Sequence, residues 1–287
     1  MTFGEIGARV RRYLPLAYSP SDRLPFAVLG VAPRNRWAFL TRHLVPELVV
    51  RPAALGGLKV ALNPVDRGHT WTFDEFFFDK NYDLGLIPFI PDQIFDCGGH
   101  IGMFSLLARS RYPLAQLMIF EPNPNNMEWI RRQVQLNALN IEAVQAAVSV
   151  REGEALFQDR FSSTGHLFDE PTTSVSEGQE WKSQKLGTPM GRYAVRVIDL
   201  AALLSQRRPE RLLLKLDVEG EETHIIPTLF DVFPRETAVF FETHHGQVGW
   251  DWVSRQFREH GFVVERRRSI DDYFIDGFAL RNYSNVM

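Results

Sequence analysis

Two stretches of this 287-residue chain carry residue types and spacings suited to chemistry. The first is Ile94-Phe-Asp-Cys-Gly-Gly-His-Ile-Gly-Met-Phe104. An apolar run ends in Asp96, and a glycine-rich turn opens directly into a helical pattern. Glycines let the backbone turn tightly and let a ligand approach the main chain closely. The next apolar run ends at Phe120-Glu-Pro122, and a carboxylate at Glu121 can accept hydrogen bonds from both hydroxyls of a ribose. The pair implies a nucleoside-containing cofactor at the open edge of an α/β sheet. A dinucleotide loop reads G-x-G-x-x-G and seats a pyrophosphate on a helix N-terminus. Here the order is Asp96-x-Gly98-Gly-His100-x-Gly102, with an acid at the strand end and no lysine in the loop. That acid repels a pyrophosphate and suits a cationic amine, such as the methionine end of S-adenosylmethionine.

The second stretch is Leu213-Leu-Lys-Leu-Asp217-Val-Glu219-Gly220-Glu-Glu-Thr-His224, joined by Phe240-Phe-Glu242-Thr-His244-His-Gly246. Both are apolar runs that end in acids. In a doubly wound sheet the carboxyl ends of the central strands line the ligand crevice. If the chain stays extended, Asp217 and Glu219 face one side, as do Glu242 and His244. Two roles fit these four residues. His244 or His245 serves as general base with a carboxylate orienting the ring, or the four together hold a hard divalent cation such as Mg²⁺. A site without metal is the favoured reading. Glu221 and Glu222 divide evenly between function and favourable charge at a helix N-terminus. Of the remaining histidines, His43, His69, His166, His224 and His260 are isolated and read as ordinary, whereas His100 sits inside the glycine loop beside the cofactor.

These residues need a scaffold of alternating strands and helices. Gln93–Cys97, Leu117–Glu121, Ala143–Val148, Leu212–Asp217 and Ala238–Glu242 read as buried strands, with helices over 101–110, 125–138 and 250–260. Near-continuous apolar strands separated by helices mark a parallel sheet covered on both faces. Two final strands, 262–267 and 273–280, flank a hairpin turn at 269–272. The expected organisation is an N-terminal extension over 1–88, then a cofactor-binding domain over 89–287 with a polar, turn-rich insert over 158–192. Such a long loop is usually functional or disordered, and covering or selecting the acceptor is its expected role. Within the extension, 35–48 suggests a helix and 57–63 a short strand. The aromatic segment 70–83 either packs over one sheet edge or walls a pocket.

Composition bounds the rest. A formal charge of −3 gives no basic field for nucleic acid, and a single cysteine removes an internal disulfide or a cysteine-rich zinc site. No apolar run approaches the roughly 18 residues of a membrane span. The N-terminus, with Glu5 and three arginines, does not read as a signal peptide. A soluble, cytoplasmic protein without a membrane or nucleic-acid partner is expected, its oligomeric state open.

The sequence resembles the FkbM-type family of class I S-adenosylmethionine-dependent methyltransferases over about residues 70–280. The resemblance rests on Phe95-Asp-Cys-Gly-Gly-His-Ile-Gly-Met-Phe-Ser105, Phe120-Glu-Pro-Asn-Pro124, Gln145-Ala-Ala-Val-Ser149, Lys215-Leu-Asp-Val-Glu-Gly220 and Phe241-Glu-Thr-His-His245, in the family's order. Gly99 and His100 depart from the Ala and Asn usual there. The resemblance implies a doubly wound, Rossmann-like sheet of seven strands whose last strand is antiparallel. It implies that Asp96, Gly98 and Gly102 hold the methionine end and that Glu121, with Pro122 and Asn123 in the same loop, holds the ribose. The Gln145-Ala146 turn would then hold the adenine. The expected activity is methyl transfer to a hydroxyl of a small-molecule natural product or saccharide, with Asp217, Glu219, Glu242 and His244 as catalytic candidates. A nicotinamide-dependent oxidoreductase and a non-catalytic S-adenosylmethionine-binding protein are the rival readings. A nucleic-acid methyltransferase fits less well, because the fourth strand lacks the Pro-Pro-aromatic turn that positions an extruded base.

Overall fold

The computed structural model describes residues 46–64, 66–79, 81–161, 164–168, 191–269 and 274–281. The chain opens with an antiparallel pair, β1 (Leu48–Val50) and β2 (Val60–Leu62), followed by helix α1 (Arg67–Asp74), which runs into a π-helical turn at Glu75–Asp79. Then come β3 (Gln93–Cys97), α2 (Met103–Arg111), β4 (Gln116–Phe120), α3 (Pro124–Asn137) and β5 (Glu142–Val144). After β6 (Ala147–Ser149), β7 (Gly153–Phe161), β8 (Thr164–Phe168) and β9 (Gly191–Asp199), the α/β rhythm resumes. It continues with α4 (Leu200–Arg207), β10 (Arg211–Leu216), α5 (Glu222–Leu229), β11 (Glu236–Thr243), α6 (Gly246–Glu259), β12 (Val263–Ser269) and β13 (Ile275–Arg281).

Seven strands form one sheet in the order β12-β13-β11-β10-β3-β4-β5, and within it β13 alone runs antiparallel. The apolar runs read from sequence explain its burial. Side chains alternate between faces, so Ile94, Leu213 and Phe240 join α2 and α3 in one core. Phe95, Leu212, Leu214, Val239 and Phe241 join α5 and α6 in the other. The order reverses at β3 and β10, whose parallel neighbours end side by side at Cys97 and Leu216. That reversal is where an open α/β sheet presents its crevice.

Residues 46–89 bury Leu48, Val60, Phe73, Phe76 and Phe77 in the same core as α2 and α3. Two amides of α3 clasp β2 through paired bonds. Gln133 accepts from the Ala61 N–H and donates to its carbonyl, and Asn137 does the same with Lys59. The expected strand over 57–63 is therefore β2, while most of the expected 35–48 helix lies outside the described residues and Leu48 opens β1. The aromatic segment is α1 and its π-helical turn, with Phe73, Phe76 and Phe77 buried.

Two expectations change. The single strand read over 143–148 breaks at Gln145: β5 joins the main sheet, whereas β6 pairs with β9 in a separate sheet ordered β6-β9-β7-β8. The polar stretch from 158 is not all loop, because it completes β7 and contributes β8 as an antiparallel hairpin. One-sided strands with a solvent-facing surface lack the continuous apolar signal. The remaining insert, 169–190, lies outside the described residues; of the expected hairpin turn at 269–272, Ser269 ends β12 and 270–272 lie outside them. No helix among the described residues is long and apolar enough to cross a membrane.

Gly99 shows how tightly the crevice is built. A Cβ there overlaps the Ile119 Cγ2 methyl and comes within 3.2 Å of Ile130 Cδ1. Although the resemblance places Ala at this position in relatives, Gly99→Ala in this chain is expected to lower unfolding free energy by roughly 1–3 kcal/mol. In an Ile119→Ala background the same change should cost markedly less, because the opposing methyl is gone. Urea denaturation of the four proteins measures this, and strictly additive costs would show that the overlap is not the cause.

Candidate active site

The glycine loop is fixed from two sides. The N–H groups of Gly98 and Gly99 both donate to the Phe120 carbonyl, at 3.0 and 2.9 Å, which pins the loop to the end of β4. Gly98 has φ +82, and a Cβ there would overlap the Asp217 carbonyl oxygen, so the end of β10 leaves room only for glycine. Gly102 (φ +84) caps the start of α2. Beneath the loop lies Lys215, 5% exposed, whose ammonium donates to the Gly98 carbonyl and sits 3.1 Å from Asp217 Oδ2 and 3.8 Å from Asp96 Oδ1. Asp96 itself is fully buried and accepts from the Ser105 hydroxyl at 2.6 Å. Burial pushes its carboxyl up, with Lys215 and Ser105 opposing. In Asp217 the order inverts: burial pushes up, but Lys215 and His244 prevail and hold it low.

An open pocket lies over this loop. Its wall contains Gly98, His100, Phe120, Glu121, Pro122, Asn123, Asn126, Ala146, Ala147, Val148, Phe157, Asp217, Val218 and Glu219. Glu121 is 5% exposed. Its Oε2 accepts from the His100 N–H at 2.7 Å, and its Oε1 accepts from the Asn123 N–H at 2.8 Å. Burial pushes this carboxyl up to about 7 despite those donors and Asn126. His100 adopts φ +47, and its Nδ1 lies 2.9 Å from Thr72 Oγ1 of α1. Behind it stands His69, whose Nδ1 accepts from the Asn63 N–H and whose pKa burial lowers to about 4.

Next to the pocket is an acidic cup. The chain does not stay extended beyond Asp217. It turns at Glu219 (φ +58) and Gly220 (φ +114), yet Asp217 and Glu219 still reach the same imidazole. His244 Nε2 lies 3.3 Å from Glu242, 3.4 Å from Glu219 and 3.8 Å from Asp217. Its Nδ1 lies 3.1 Å from Glu222 Oε1. Glu222 is 1% exposed and held by the N–H groups of Val218 and Gly220, so it backs the histidine rather than simply charging a helix end. Glu221 accepts from the Ser149 hydroxyl and links the turn to β6. Burial lowers the His244 pKa, but Glu222, Glu219 and Glu242 outweigh it and hold the ring well above its ordinary value. Burial raises Glu242, and Asp217, Asp276 and Glu75 raise it further. On its far side, Asn81 donates to Glu75 at 2.8 Å and Asp276 at 2.9 Å. The ligating atoms of Asp217, Glu242 and His244 lie within 4.8 Å of one another, as do those of Glu75, Glu242 and Asp276.

Most site residues read from sequence converge here. Asp96 lies beneath the loop, its carboxylate facing Ser105 and Lys215. Gln145 is exposed, and the wall expected from it is supplied by Ala146 to Val148 with Phe157 of β7. His244 sits among Glu222, Glu219 and Glu242, which raise its pKa well above the ordinary value, while His245 is exposed at the start of α6. The sequence reading missed Lys215, Glu75, Asn81, Asp276 and Phe157, and left Glu222 evenly divided between function and helix-end charge. Lys215 carried a signal, being a charge inside an otherwise apolar central strand.

The sheet is Rossmann-like, with its glycine loop after β3 and acids at the ends of β10 and β11. The model of the methyltransferase FkbM domain matches residues 96–265, more than half of the chain, and the chain belongs to that family. Methyltransferase 1 of Beauveria bassiana is 33% identical over 166 residues, which cover 55% of this chain and 66% of the fungal protein. The chain thus spans just under two thirds of that relative's length. The 31-O-demethyl-FK506 methyltransferase FkbM of Streptomyces tacrolimicus is 25% identical over 210 residues, 67% of this chain and 81% of that protein. Among solved structures, a methyltransferase FkbM from Methylobacillus flagellatus matches with a TM-score of 0.44 and 14% identity, covering 96% of this chain and 60% of the other.

Lys215 gives this site a direct test. Lys215→Met leaves the fully buried Asp96 without its cation and is expected to cost about 3–5 kcal/mol in urea denaturation. Adding Asp96→Asn should restore a large part of that loss. Failure of the second change to recover stability would show that the ammonium does not serve to neutralise Asp96.

Proposed function

We propose that the protein transfers the methyl group of S-adenosylmethionine to a hydroxyl of a small-molecule natural product or saccharide. The observation that carries this reading is a shared wall. Asp217 and Glu219 line the pocket and also face His244 in the acidic cup, so a ligand in the pocket abuts the carboxylates. The pocket's donor set suits the cofactor. Glu121 is a buried acceptor for ribose hydroxyls, Gly98 permits close approach at the methionine end, and Val148 with Phe157 offers apolar surface for a purine. Membership in a methyltransferase family sets the nicotinamide reading aside, and the 31-O in the name of the Streptomyces relative favours oxygen as the acceptor atom.

S-adenosylmethionine supplies a methyl group already activated by a sulfonium. The chain's residues then have to align the acceptor and remove its proton. Glu242 and Glu219 are the carboxylates placed to take it, and Glu242 binds a proton more tightly than an ordinary carboxylate, as a base for an alcohol should. The hydroxyl proton passes to the carboxylate and the oxygen forms its bond to the methyl carbon. The carbon–sulfur bond breaks as it does so, and its electron pair leaves with a neutral thioether.

Label transfer from S-adenosylmethionine to a panel of polyhydroxylated acceptors tests the activity. Glu242→Gln should keep binding of S-adenosylhomocysteine and lose roughly 10²–10⁴ in turnover; binding without consumption by the parent protein across the panel would favour the non-catalytic reading. Glu121 sets a pH dependence. Above about 7 the carboxylate is ionised and accepts from both ribose hydroxyls, whereas below it the proton removes one acceptor. Affinity for S-adenosylhomocysteine should fall roughly tenfold from pH 8 to pH 6, and Glu121→Gln should bind weakly with a flat profile. A sloping profile in that variant would assign the titration elsewhere.

A further inference from the structure

We propose that Asp217, Glu242 and His244 hold a divalent cation of the manganese type, backed by Glu222 as the carboxylate behind the histidine. The cup is more than a group of acids. His244 is 4% exposed and directs Nε2 into it, and its separations from Glu242 and Asp217, 3.3 and 3.8 Å, are longer than aligned N–H···O hydrogen bonds. They match donors that share one ion instead. Six ligands about 2.1 Å from an octahedral cation lie about 3.0 Å from their neighbours and about 4.2 Å from the opposite donor.

The surrounding bonds leave those atoms facing the cup. Lys215 engages Asp217 Oδ2, while Asp217 Oδ1 is the atom turned to His244. Glu222 Oε1, fixed through its carboxylate by two backbone N–H groups, lies 3.1 Å from Nδ1, although without an aligned hydrogen bond. A carboxylate at that nitrogen is the usual support for a metal-bound imidazole, since it fixes the ring's tautomer and strengthens the donor. The neighbouring triad of Glu75, Glu242 and Asp276 is a poorer host, because Asn81 already ties Glu75 to Asp276. One imidazole among carboxylates favours Mn²⁺ or Fe²⁺ over Mg²⁺, which prefers oxygen throughout.

The site lies at the pocket wall, so the cation would polarise the acceptor hydroxyl. Glu242 then serves as a ligand, and the proton falls to Glu219. This role rests on the proposed methyl transfer, but cation binding is measured without acceptor or cofactor. Chelator-stripped protein is titrated with MnCl₂ while the free-ion electron paramagnetic resonance signal is followed. The expected result is one saturable site per chain, lost in His244→Ala and weakened about 10–100-fold in Glu222→Gln. Circular dichroism and S-adenosylhomocysteine binding of each variant report whether it is folded. No saturable Mn²⁺ binding by the folded parent protein overturns the proposal, as does unchanged binding in folded His244→Ala. Mn²⁺ binding by a protein that ignores S-adenosylhomocysteine would support the cation site and reject the methyl-transfer reading.

Discussion

Lys215 is the charge on which the crevice depends. An ammonium in the middle of a parallel sheet carries a large desolvation cost unless it is paired and fully hydrogen-bonded. Here it is shared between Asp96 at the end of β3, Asp217 at the end of β10 and the carbonyl of Gly98. Those partners belong to the two strands between which the sheet order reverses. One buried cation therefore holds together the strand ends, the glycine loop and the first acid of the cup. Gly98 completes the arrangement sterically, because any side chain there would occupy the space of the Asp217 carbonyl.

From that junction the two halves of the site follow different physical rules. The pocket half is built largely from backbone donors. His100 and Asn123 present N–H groups to Glu121, and Asn123 also donates through its side chain to Asp159, which ties the loop after β4 to β7. The cup half is built from side chains on separate elements: Glu75 after α1, Glu222 on α5, Glu242 and His244 from β11 and its end, and Asp276 on β13. Their positions depend on the core beneath them, where Tyr82 stacks on Phe76 and packs edge-on against Phe240. The N-terminal segment thus reaches the chemistry through α1, with Thr72 at His100 and Glu75 near Glu242.

The sheet was legible because its strands are buried on both faces and spell apolar runs, as in Leu212 to Leu216. The glycine loop and Glu121 were legible because a tight turn and a strand-end acid leave local marks. What the sequence did not disclose was long-range. Lys215 and Gly98 are 117 residues apart and Asn81 and Asp276 are 195 apart, so no spacing rule connects them. Glu222 stays evenly divided between function and helix-end charge in the sequence because its partner, His244, is carried by another strand. The second sheet was missed for a different reason: β7 shows solvent one face, and its polar residues resemble a loop. With it went Phe157, which supplies the wall that had been assigned to Gln145.

The distribution of charge follows from the proposed chemistry. A sulfonium loses its positive charge as the methyl group departs, so bare carboxylates close to the sulfur would stabilise the starting state and raise the barrier. The acceptor needs the reverse, because its oxygen must give up a proton as it attacks. Lys215 resolves the conflict by position. It neutralises Asp96 and one oxygen of Asp217 beneath the loop, whereas Glu219 and Glu242 lie farther along the crevice around His244. The negative charge that remains is thus concentrated around His244. Four carboxylates converge on one buried imidazole there, and burial makes uncompensated negative charge costly. The cup consequently favours positive charge, and the geometry around Nε2 gives that charge a place to sit.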